Sequence, residues 1–398
     1  MKYLIIGDAG SMHIYNYIKT VLLPRDFEVH LLTLSIEPIR ESFRSFYKEN
    51  GVFVYSVAER NYKNINKKDR VHRIFNLVRK FRLLNEVPEV DICHLHSVYK
   101  TSCLMVLKNR SKFDKLIMSY WGGDIEDKTP AVIKIRKKCF QFADAITVTV
   151  LETLNEFRRI YGDEFNEKLQ ICRFSTNGLE CIKDISGSKT RKECREVYGI
   201  PDGRICITCG YNAYATQHQD RCLEIIGNLP AHIKEKLFII VPMQYGRYDQ
   251  VYIERVKKAA LESQTENVIL EEFVPFEMSA QLAIATDIYL HLRDTDAFSN
   301  ALKEHVYAKS YVIKGKWLKY TELADMKAQT LSLENIEDLG ETLETLLDSF
   351  VPLEKIELFD PIYELYSTRA VCEQWQSIIC RVLETEKGEN EFGRGKAN

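Results

Sequence analysis

Two acidic residues, Asp296 and Glu304, stand eight positions apart in the segment 294–315, DTDAFSNALKEHVYAKSYVIKG. The pattern places Asp296 in a loop after a predicted strand and Glu304 about one turn into a predicted helix. A carboxylate accepts hydrogen bonds and can take both hydroxyls of a vicinal diol such as a ribose. Three amides at the N-terminus of that helix suit an anion such as a diphosphate; they belong to Phe298, Ser299 and Asn300. The alternative is that Asp296 only caps the helix and Glu304 faces solvent.

A loop of small residues in the N-terminal half is a second candidate. Gly7-Asp8-Ala9-Gly10-Ser11 follows a predicted strand, and Gly10 can approach a ligand closely while the loop presents its amides. The loop lacks the G-x-G-x-x-G spacing of a dinucleotide site. His13 begins the next helix. The alternatives are a tight turn without a ligand and a histidine that only packs.

Further candidates follow two other predicted strands. His94 and His96 end one strand, and we expect the two imidazoles to face opposite ways, one into the core and His96 toward a ligand. Trp121 and Asp124, in WGGD, follow the next strand and suit a sugar or another polar ligand. A structural histidine and an ordinary loop are the alternatives.

Composition restricts the class of protein. The 398 residues predict about two domains, and 45% apolar and 28% charged residues are ordinary for a globular protein. The net charge of −2 gives no nucleic-acid signature. Residues 1–175 hold 29 Lys/Arg and 21 Asp/Glu, whereas the remainder holds 26 and 36, so the first half is expected to face something anionic. The eleven scattered cysteines indicate core thiols in a reducing cytoplasm.

Short apolar runs alternate with helical patterns along the whole chain, and this alternation predicts doubly wound parallel sheets. The pattern restarts after a polar segment, 183–192, which we interpret as an interdomain linker. We therefore predict two Rossmann-like α/β domains, 1–182 and 183–358, that face each other across a cleft. A helical segment 359–388 is expected to pack back on the first domain, and 389–398 to be a disordered tail. In such sheets, ligands bind at the carboxyl ends of the strands.

Taken together, these motifs resemble those of GT-B glycosyltransferases of the retaining family-4 group. The segment from Asp296 to Glu304 is similar to the E-x7-E element of that group, with Asp in place of the first Glu. Four other segments resemble its remaining motifs in order and spacing: Gly7–His13, Asp91–His96, Trp121–Asp124 and Phe174–Gly178. The resemblance spans most of residues 1–315.

The resemblance implies a role for each candidate residue. Glu304 would hold the nucleotide ribose, and Asp296 the donor sugar. His96 would lie near the reacting sugar, and with Asp296 it forms the expected catalytic pair. Gly10 would lie against the donor phosphate. The remaining candidates divide between the donor, with Gly210 and the amides of 298–300, and the acceptor, with His13, Trp121 and Asp124. We expect no cofactor and no metal.

One departure from that group concerns the diphosphate. The group carries an Arg and a Lys after the first strand of its second domain, whereas Gly210 is followed here by YNAYATQH, with neither. A leaving diphosphate needs cationic or amide stabilisation. We expect Arg247 to supply it, with His218 as a lesser candidate.

A second resemblance covers a shorter stretch. Val241–Gly246 and Tyr252–Glu254 are similar to bacterial transferases that move a 4-acetamido-4,6-dideoxygalactose onto a lipid-linked acceptor. This second resemblance implies an inverting reaction, whereas the E-x7-E-like element implies retention, so the stereochemical outcome stays open.

A basic amphipathic segment suggests contact with a membrane. Lys63–Leu84 places Val71, Ile74, Phe75, Val78, Phe81 and Leu84 at helical spacing among many Lys and Arg residues. Such a helix suits an anionic membrane surface, and 133–140 adds positive charge. The alternative is a domain helix with its apolar face in the core. The sequence shows neither a signal peptide nor a membrane span, so we expect a cytoplasmic protein on the inner face of the membrane.

These observations predict a glycosyltransferase that moves a sugar from a nucleotide-diphosphate donor to a glycan in bacterial surface-polysaccharide assembly such as capsule or O-antigen. The second resemblance implies that this glycan is lipid-linked. Two alternatives stay open at this point. One is a nucleotide-sugar epimerase with the same fold. The other is a protein that binds a nucleotide-sugar without turning it over.

Overall fold

The computed structural model describes residues 1–58, 60, 70–120 and 127–392. The chain divides into two compact units. Unit 1 comprises Met1–Ser175 together with the chain from Thr368 onward, and unit 2 comprises Thr176–Ser367. The chain thus passes from one unit to the other twice. The boundaries expected from the sequence, after 182 and after 358, both fall inside unit 2.

Unit 1 is built around a parallel sheet. Its strands are β1 (Lys2–Gly7), β2 (Glu28–Thr33), β3 (Phe53–Ser56), β4 (Val90–Leu95), β5 (Phe113–Ser119), β6 (Ala145–Val148) and β7 (Leu169–Ile171). The connecting helices are α1 (Met12–Tyr17), α2 (Glu41–Glu49), α3 (Arg70–Glu86), α4 (Lys100–Lys108), α5 (Pro130–Phe142) and α6 (Leu151–Tyr161). A π-helical turn, Ile18–Leu22, and a 3-10 turn, Leu23–Arg25, extend α1, and a 3-10 turn, Arg110–Lys112, precedes β5. Among the described residues the strand order is β3-β2-β1-β4-β5-β6-β7.

Both faces of this sheet are covered. Tyr3 and Ile5 of β1 pack in one apolar cluster, whereas Leu4 and Ile6 pack in another. Successive side chains of a strand point to opposite faces, so the two clusters are the two core layers of unit 1. A strand buried on both faces has a continuous apolar sequence, as in the YLII of β1.

Unit 2 repeats the same plan. Its strands are β8 (Ile205–Cys209), β9 (Leu237–Pro242), β10 (Asn267–Leu270), β11 (Ile288–His291), β12 (Tyr311–Gly315) and β13 (Thr330–Leu333). Its helices are α7 (Asn177–Ser186), α8 (Arg191–Glu196), α9 (Gln219–Gly227), α10 (Ala231–Lys234), α11 (Gln250–Glu262), α12 (Phe276–Ala285), α13 (Asn300–Tyr307), α14 (Thr321–Asp325), α15 (Leu339–Leu347) and α16 (Asp360–Tyr366), with 3-10 turns at Ala215–Gln217 and Ile336–Asp338. In the part of the chain that the structure describes, the strand order is β10-β9-β8-β11-β12-β13.

The predicted linker 183–192 is not a linker. It contains the end of α7 and the beginning of α8, both within unit 2. Ile185 and Arg191 are buried, and Thr190 and Glu193 form a capping box at the start of α8. Arg191 and Arg195 both pair with the buried carboxylate of Asp287, at 2.7 and 2.9 Å. The polar residues that suggested a linker are the outer faces and caps of two amphipathic helices.

The last helical segment is divided between the units. Helix α16 belongs to unit 2, and the chain from Thr368 onward, which forms α17 (Thr368–Phe392), belongs to unit 1. Trp375 of α17 is fully buried, packs against Tyr17 and donates from its indole nitrogen to the carbonyl oxygen of Arg173 at 3.0 Å. The expected tail 389–398 is helical as far as Phe392, and the rest lies outside the described residues.

The prediction of two doubly wound parallel sheets is confirmed. In both units the chain first builds strands outward to one side, then returns to the middle of the sheet and builds to the other side. The reversal falls between β1 and β4 in unit 1 and between β8 and β11 in unit 2. A sheet of this kind forms a crevice outside the carboxyl ends of the strands at that reversal, and ligands bind there.

Candidate functional site

The reversal point of unit 2 is occupied by a cluster of polar side chains. Tyr211 follows β8, and Arg293 follows β11. The Arg293 guanidinium donates from Nη1 to the Tyr211 hydroxyl and lies over the Tyr211 ring, 5.4 Å from its centroid. The Tyr211 ring is in turn parallel to His291, the last residue of β11, at 6.1 Å. These contacts join the two strand ends on either side of the expected crevice.

Asp296 lies within this cluster, and both of its oxygens are surrounded by donors. Oδ2 accepts from the Ser299 amide and the Tyr320 hydroxyl, both at 2.8 Å, and lies 3.2 Å from His291 Nε2. Oδ1 accepts from the Tyr211 hydroxyl and from Arg293 Nη1, both at 3.3 Å. Burial raises the pKa of Asp296, but the His291 contact, the Ser299 amide and the Arg293 charge outweigh it and lower the pKa to about 2. Asp296 is therefore a fully ionised, caged carboxylate.

Glu304 has a different environment from Asp296. It lies on α13, and Oε1 accepts a hydrogen bond of 3.0 Å from the Thr176 hydroxyl just before α7. A Cβ atom on Gly178 would lie 2.0 Å from Oε1, so only a glycine at 178 permits this close approach. Burial raises the pKa of Glu304 to about 7, against the smaller opposing effects of Thr176 and Lys303. Near neutral pH, Asp296 is therefore ionised, whereas Glu304 exchanges between its protonated and ionised forms.

Tyr245 connects the two carboxylates electrostatically. Burial raises the pKa of its hydroxyl to about 12, and the charges of Glu304 and Asp296 both contribute to the rise. Tyr289, in β11, is fully buried and feels the same two charges. Asp296 and Glu304 therefore lie close enough together for their charges to act on the same two tyrosines.

The backbone between the two acids is under strain. Phe298 has a φ of 63°, a left-handed conformation that is an outlier for a bulky residue. Its ring is held between Tyr320 and Tyr366, with centroids at 5.3 and 5.4 Å. Such strain costs about 1–3 kcal/mol and concentrates at functional sites. The Ser299 amide, one of three expected to meet an anion, is bonded to Asp296, and Asn300 is the first residue of α13.

The loop after β8 is held by buried amides. Gly210 has a φ of 68°, and a Cβ there would lie 2.9 Å from Gln217 Oε1, so glycine is required for the turn. Asn212 and Gln217 are buried and hydrogen-bonded to each other at 3.1 Å. His218 also has a positive φ of 55° and pairs with the exposed Asp294 at 2.6 Å.

Arg247, the expected substitute for the missing cations, has a partner in the same unit. Its Nη2 lies 2.5 Å from a Glu271 carboxylate oxygen, and its Nη1 donates to the Glu271 carbonyl oxygen at 3.1 Å. Lys257 pairs with the same carboxylate at 3.0 Å. Arg247 thus links the loops after β9 and β10, and its charge is already neutralised.

In unit 1, the small-residue loop is held by its own chain. The Gly10 amide donates to Asp8 Oδ1 at 3.0 Å, the Ala9 amide to Thr33 Oγ1 at 3.2 Å, and Tyr47 donates to the Ala9 carbonyl oxygen at 2.9 Å. A Cβ on Gly10 would meet Asp8 Oδ1 at 3.4 Å, an ordinary contact. The structure therefore gives the loop a structural explanation, while Gly10 still lies at the reversal point of this sheet.

The expectation that His94 and His96 face opposite ways is wrong. Residues two apart in a strand share a face, and the two imidazole centroids are 4.7 Å apart. His94 lies between Tyr3 (3.1 Å) and Ser119 (2.7 Å), and burial lowers its pKa to about 3. His96 is only 1% exposed, and burial lowers its pKa well below the usual range. Its ring packs 4.9 Å from Phe174.

Four further observations concern the remaining predictions. His13 is half-buried, with its ring 5.7 Å from Phe174. Trp121 and Asp124 lie outside the described residues. Within the described ranges, no group of three or more His, Cys, Asp or Glu side chains could hold a metal ion. No helix of the described chain combines the length and apolar character needed to cross a membrane.

Sequence reasoning missed four members of the unit 2 cluster: Tyr211, His291, Arg293 and Tyr320. A signal for Arg293 was present, because it is the first charged residue after a buried strand that ends at the carboxyl edge. The tyrosines gave no comparable signal, since they are ordinary core residues by type. The cluster is recognised only when the strand order brings β8 beside β11.

The whole chain is similar in fold to solved glycosyltransferase structures. Sucrose-phosphate synthase from Thermosynechococcus elongatus superposes with a TM-score of 0.64 at 12% identity, covering 100% of both chains. The HepE protein of Anabaena, in complex with UDP and glucose, gives 0.59 at 11% identity, covering 98% of this chain and 100% of its own. A glycosyltransferase from Rickettsia africae gives 0.61 at 12% identity, covering 99% and 100%. The chain therefore has the GT-B fold. No protein-family model and no curated protein matches the sequence.

Proposed function

We propose that this protein is a glycosyltransferase that moves a sugar from a nucleoside-diphosphate donor to a glycan acceptor. The observation that carries the proposal is the cluster at the reversal point of unit 2. There, Arg293 contacts the ionised carboxylate of Asp296, and Tyr245 feels the charges of both Asp296 and Glu304, at the place where sheets of this type bind ligands. The GT-B fold and the UDP and glucose of the HepE complex support a nucleotide-sugar as the ligand.

The donor site lies on unit 2 in this proposal. Glu304 accepts hydrogen bonds from the ribose hydroxyls, which a carboxylate does well once it is ionised. Its pKa of about 7 means that a ligand with two hydroxyl donors favours the ionised form and lowers that pKa on binding. No metal takes part in this proposal. Thermal unfolding with a panel of nucleotides and nucleotide-sugars identifies the base and the sugar of the donor.

The acceptor is a lipid-linked glycan bound by unit 1, as the second sequence resemblance implies, and the protein works on the cytoplasmic face of a membrane in surface-polysaccharide assembly. Helix α3 supports this part of the proposal. Phe75 and Val78 are 53% and 42% exposed rather than buried in the core, whereas Leu83 and Leu84 are buried. Basic residues lie beside the exposed pair, at Arg79 and Arg82. The first part of the predicted segment, 63–69, lies outside the described residues.

Helix α5 adds less positive surface than its sequence suggests. Arg136 is 1% exposed and donates to the carbonyl oxygens of Val98 and Asp127 at 2.8 and 2.7 Å. Lys137 pairs with Glu164. The membrane proposal therefore rests on α3.

A ligand panel tests the donor site. Thermal unfolding is measured with UDP, GDP, dTDP and their common sugar conjugates, for the wild type, for Glu304→Ala and for Glu344→Ala, an exposed helical glutamate of the same unit. We expect one nucleotide to raise the midpoint for the wild type and for Glu344→Ala. We expect Glu304→Ala to lose tenfold or more in affinity, on the order of 1.4 kcal/mol. No shift with any nucleotide would refute the proposal.

Product analysis separates transfer from its alternatives. With the identified donor alone, an epimerase converts the sugar, whereas a transferase releases nucleoside diphosphate only when an acceptor or water takes the sugar. A protein that only binds the donor releases no nucleoside diphosphate, whether or not an acceptor is present. That last result would favour a binding protein and refute the enzymatic part of the proposal.

Liposome flotation tests the membrane part. Reversing Arg79 and Arg82 to Glu is expected to weaken binding to anionic vesicles, by about 1 kcal/mol for each basic residue removed from the surface. The matched control reverses Arg255 and Lys258, exposed basic residues of α11 in unit 2. Equal loss in both variants would indicate a nonspecific charge effect, and no binding by the wild type would refute this part.

A further inference from the structure

We propose that Arg293 is the cation that receives the diphosphate of the donor, and that Asp296 positions Arg293 instead of holding the donor sugar. This inference rests on the proposed function and assigns the two residues roles that the sequence did not suggest. Four observations carry it: the saturation of Asp296, the free donors of Arg293, the fixed backbone of Arg293 and its place in the sheet.

The carboxylate of Asp296 has no acceptor capacity left for a sugar. A carboxylate offers about four lone-pair positions. Asp296 has five polar neighbours at hydrogen-bond distance: Tyr211, His291, Arg293, Ser299 and Tyr320. Its side chain is only 4% exposed. A sugar hydroxyl would have to displace one of these donors and leave it unpaired, which costs about 1–3 kcal/mol for a buried group.

The guanidinium of Arg293 is only partly used. Nη1 donates to Tyr211 and to Asp296, whereas Nε is buried and has no hydrogen-bond partner among the described residues. No described residue accepts from Nη2 either. A guanidinium presents its donors in a planar fork that matches two phosphate oxygens. Nε and Nη2 are therefore the donors of Arg293 that are left for an anion with paired oxygens, which would also give the buried Nε a partner.

The backbone at Arg293 is fixed by the segments that follow the two neighbouring strands, β12 and β8. The indole nitrogen of Trp317 donates to the Arg293 carbonyl oxygen at 2.8 Å. A Cβ on Gly315 would lie 2.2 Å from that indole, so the glycine makes room for it. On the other side, the Asp294 amide donates to the Thr216 carbonyl oxygen at 3.0 Å. The arginine is thus held before any ligand binds, which lowers the entropic cost of binding.

The position of Arg293 fits the leaving group. During transfer, the bond between the sugar and the diphosphate oxygen breaks, and its electron pair stays on that oxygen. A new bond forms between the sugar and the acceptor oxygen, whose proton is released to solvent. The added negative charge therefore develops on the diphosphate, and a fixed cation at the reversal point stabilises it. The loop 210–218 supplies no Arg or Lys for this purpose, and Arg247 is paired with Glu271.

Binding measurements with two ligands separate a phosphate contact from a sugar contact. Calorimetry measures the affinities of the nucleoside diphosphate, of the corresponding nucleoside and of the nucleotide-sugar. The proteins are the wild type, Arg293→Gln, Asp296→Asn, the double variant and Arg221→Gln, an exposed arginine of α9 that pairs with Glu224. We expect Arg293→Gln to lose roughly tenfold to a hundredfold for the diphosphate and to bind the nucleoside unchanged.

Asp296→Asn is the decisive variant. If Asp296 positions Arg293, the variant weakens binding of the diphosphate, which has no sugar, and adds little in the Arg293→Gln background. If Asp296 instead holds the sugar, the variant weakens only the nucleotide-sugar, and the inference is overturned. Tyr211→Phe removes a second contact to Arg293 without a change of charge, and it is expected to act like a weaker Asp296→Asn. It also keeps the test open if Asp296→Asn does not fold.

The remaining outcomes are distinct. If the wild type binds no nucleoside diphosphate, both the proposed function and this inference are refuted. If the wild type binds it and Arg293→Gln binds equally well, only this inference is refuted. An added Arg247→Gln variant with the larger loss would assign the diphosphate to Arg247 instead. Arg293→Lys is expected to recover part of the affinity, because a lysine supplies the charge without the fork.

Discussion

The pKa of Glu304 makes the stability of unit 2 depend on pH in a way that one substitution removes. Glu304 lies against Thr176 and Gly178, and burial raises the pKa of its carboxyl group from an ordinary 4.5 to about 7. In the unfolded chain the group ionises with its ordinary pKa. Between these two values the folded state holds a proton that the unfolded state has lost. The contribution of Glu304 to the free energy of unfolding is therefore fully present below about pH 4.5, and it is lost as the pH rises through 7.

The size of the effect follows from the shift. One pKa unit corresponds to about 1.4 kcal/mol, so the shift from 4.5 to about 7 amounts to about 3 kcal/mol. Glu304→Gln carries no ionisable proton and keeps an acceptor for the Thr176 hydroxyl. We expect the variant to lie within about 1 kcal/mol of the wild type near pH 5 and to exceed it by about 3 kcal/mol near pH 8. The low pKa values of His94 and His305 also affect stability, but they are common to both proteins and cancel.

Hydrogen exchange resolves the two units separately, which a single melting curve does not. Peptides from α13 and β12 are compared between wild type and Glu304→Gln at pH 5 and pH 8, in the absence of ligand. We expect similar exchange at pH 5 and exchange on the order of a hundredfold slower in the variant at pH 8. Glu344→Gln, on an exposed helix face of the same unit, is the control and should show no pH-dependent difference. An equal effect of Glu304→Gln at both pH values would refute the reasoning.

Three further substitutions have expected outcomes. Gly178→Ala is expected to push the Glu304 carboxylate away, since the added Cβ would lie 2.0 Å from Oε1; exchange measured as above should lose its dependence on pH, and persistence of that dependence would contradict the contact. Asp287→Ala leaves Arg191 and Arg195 without their buried partner and is expected to destabilise unit 2 by about 3–5 kcal/mol, measured by denaturant unfolding against Asp202→Ala, an exposed aspartate paired with Lys192. Trp375→Ala is expected to destabilise unit 1 by about 3–5 kcal/mol, seen as faster exchange in β1 and β4 with unit 2 unchanged; equal loss in both units would contradict this assignment.

The sequence was sufficient for the architecture because long apolar runs are distinctive. The runs that became β1, β2, β9 and β11 are buried on both faces, and such runs alternating with helices leave few other folds. The edge strands β7 and β13 were not predicted, because LQI and TLSL are short and partly polar. The prediction of a linker at 183–192 was wrong because the polar face of a helix and a polar loop can have the same composition.

The site was harder to predict because its contacts join residues that are far apart in the sequence. The spacing of Asp296 and Glu304 correctly suggested two carboxylates near one strand end. It did not reveal that one would be caged and the other protonatable, since the cage includes Tyr211 and Tyr320, each from a different loop. The error at His94 and His96 was of another kind. The period of a strand already places residues two apart on one face, so that arrangement was available from the sequence.

The role proposed for Arg293 would account together for the two departures from the family-4 motifs that the sequence resembles. An aspartate is one methylene shorter than the glutamate usual at position 296, and its Oδ2 accepts from the Ser299 amide three residues ahead, as a capping residue does. This turns the carboxylate back toward its own loop, where it meets Arg293 and Tyr211. In this proposal, the missing Arg and Lys after β8 and the shorter acid after β11 belong together, because the cation for the diphosphate follows β11 instead of β8.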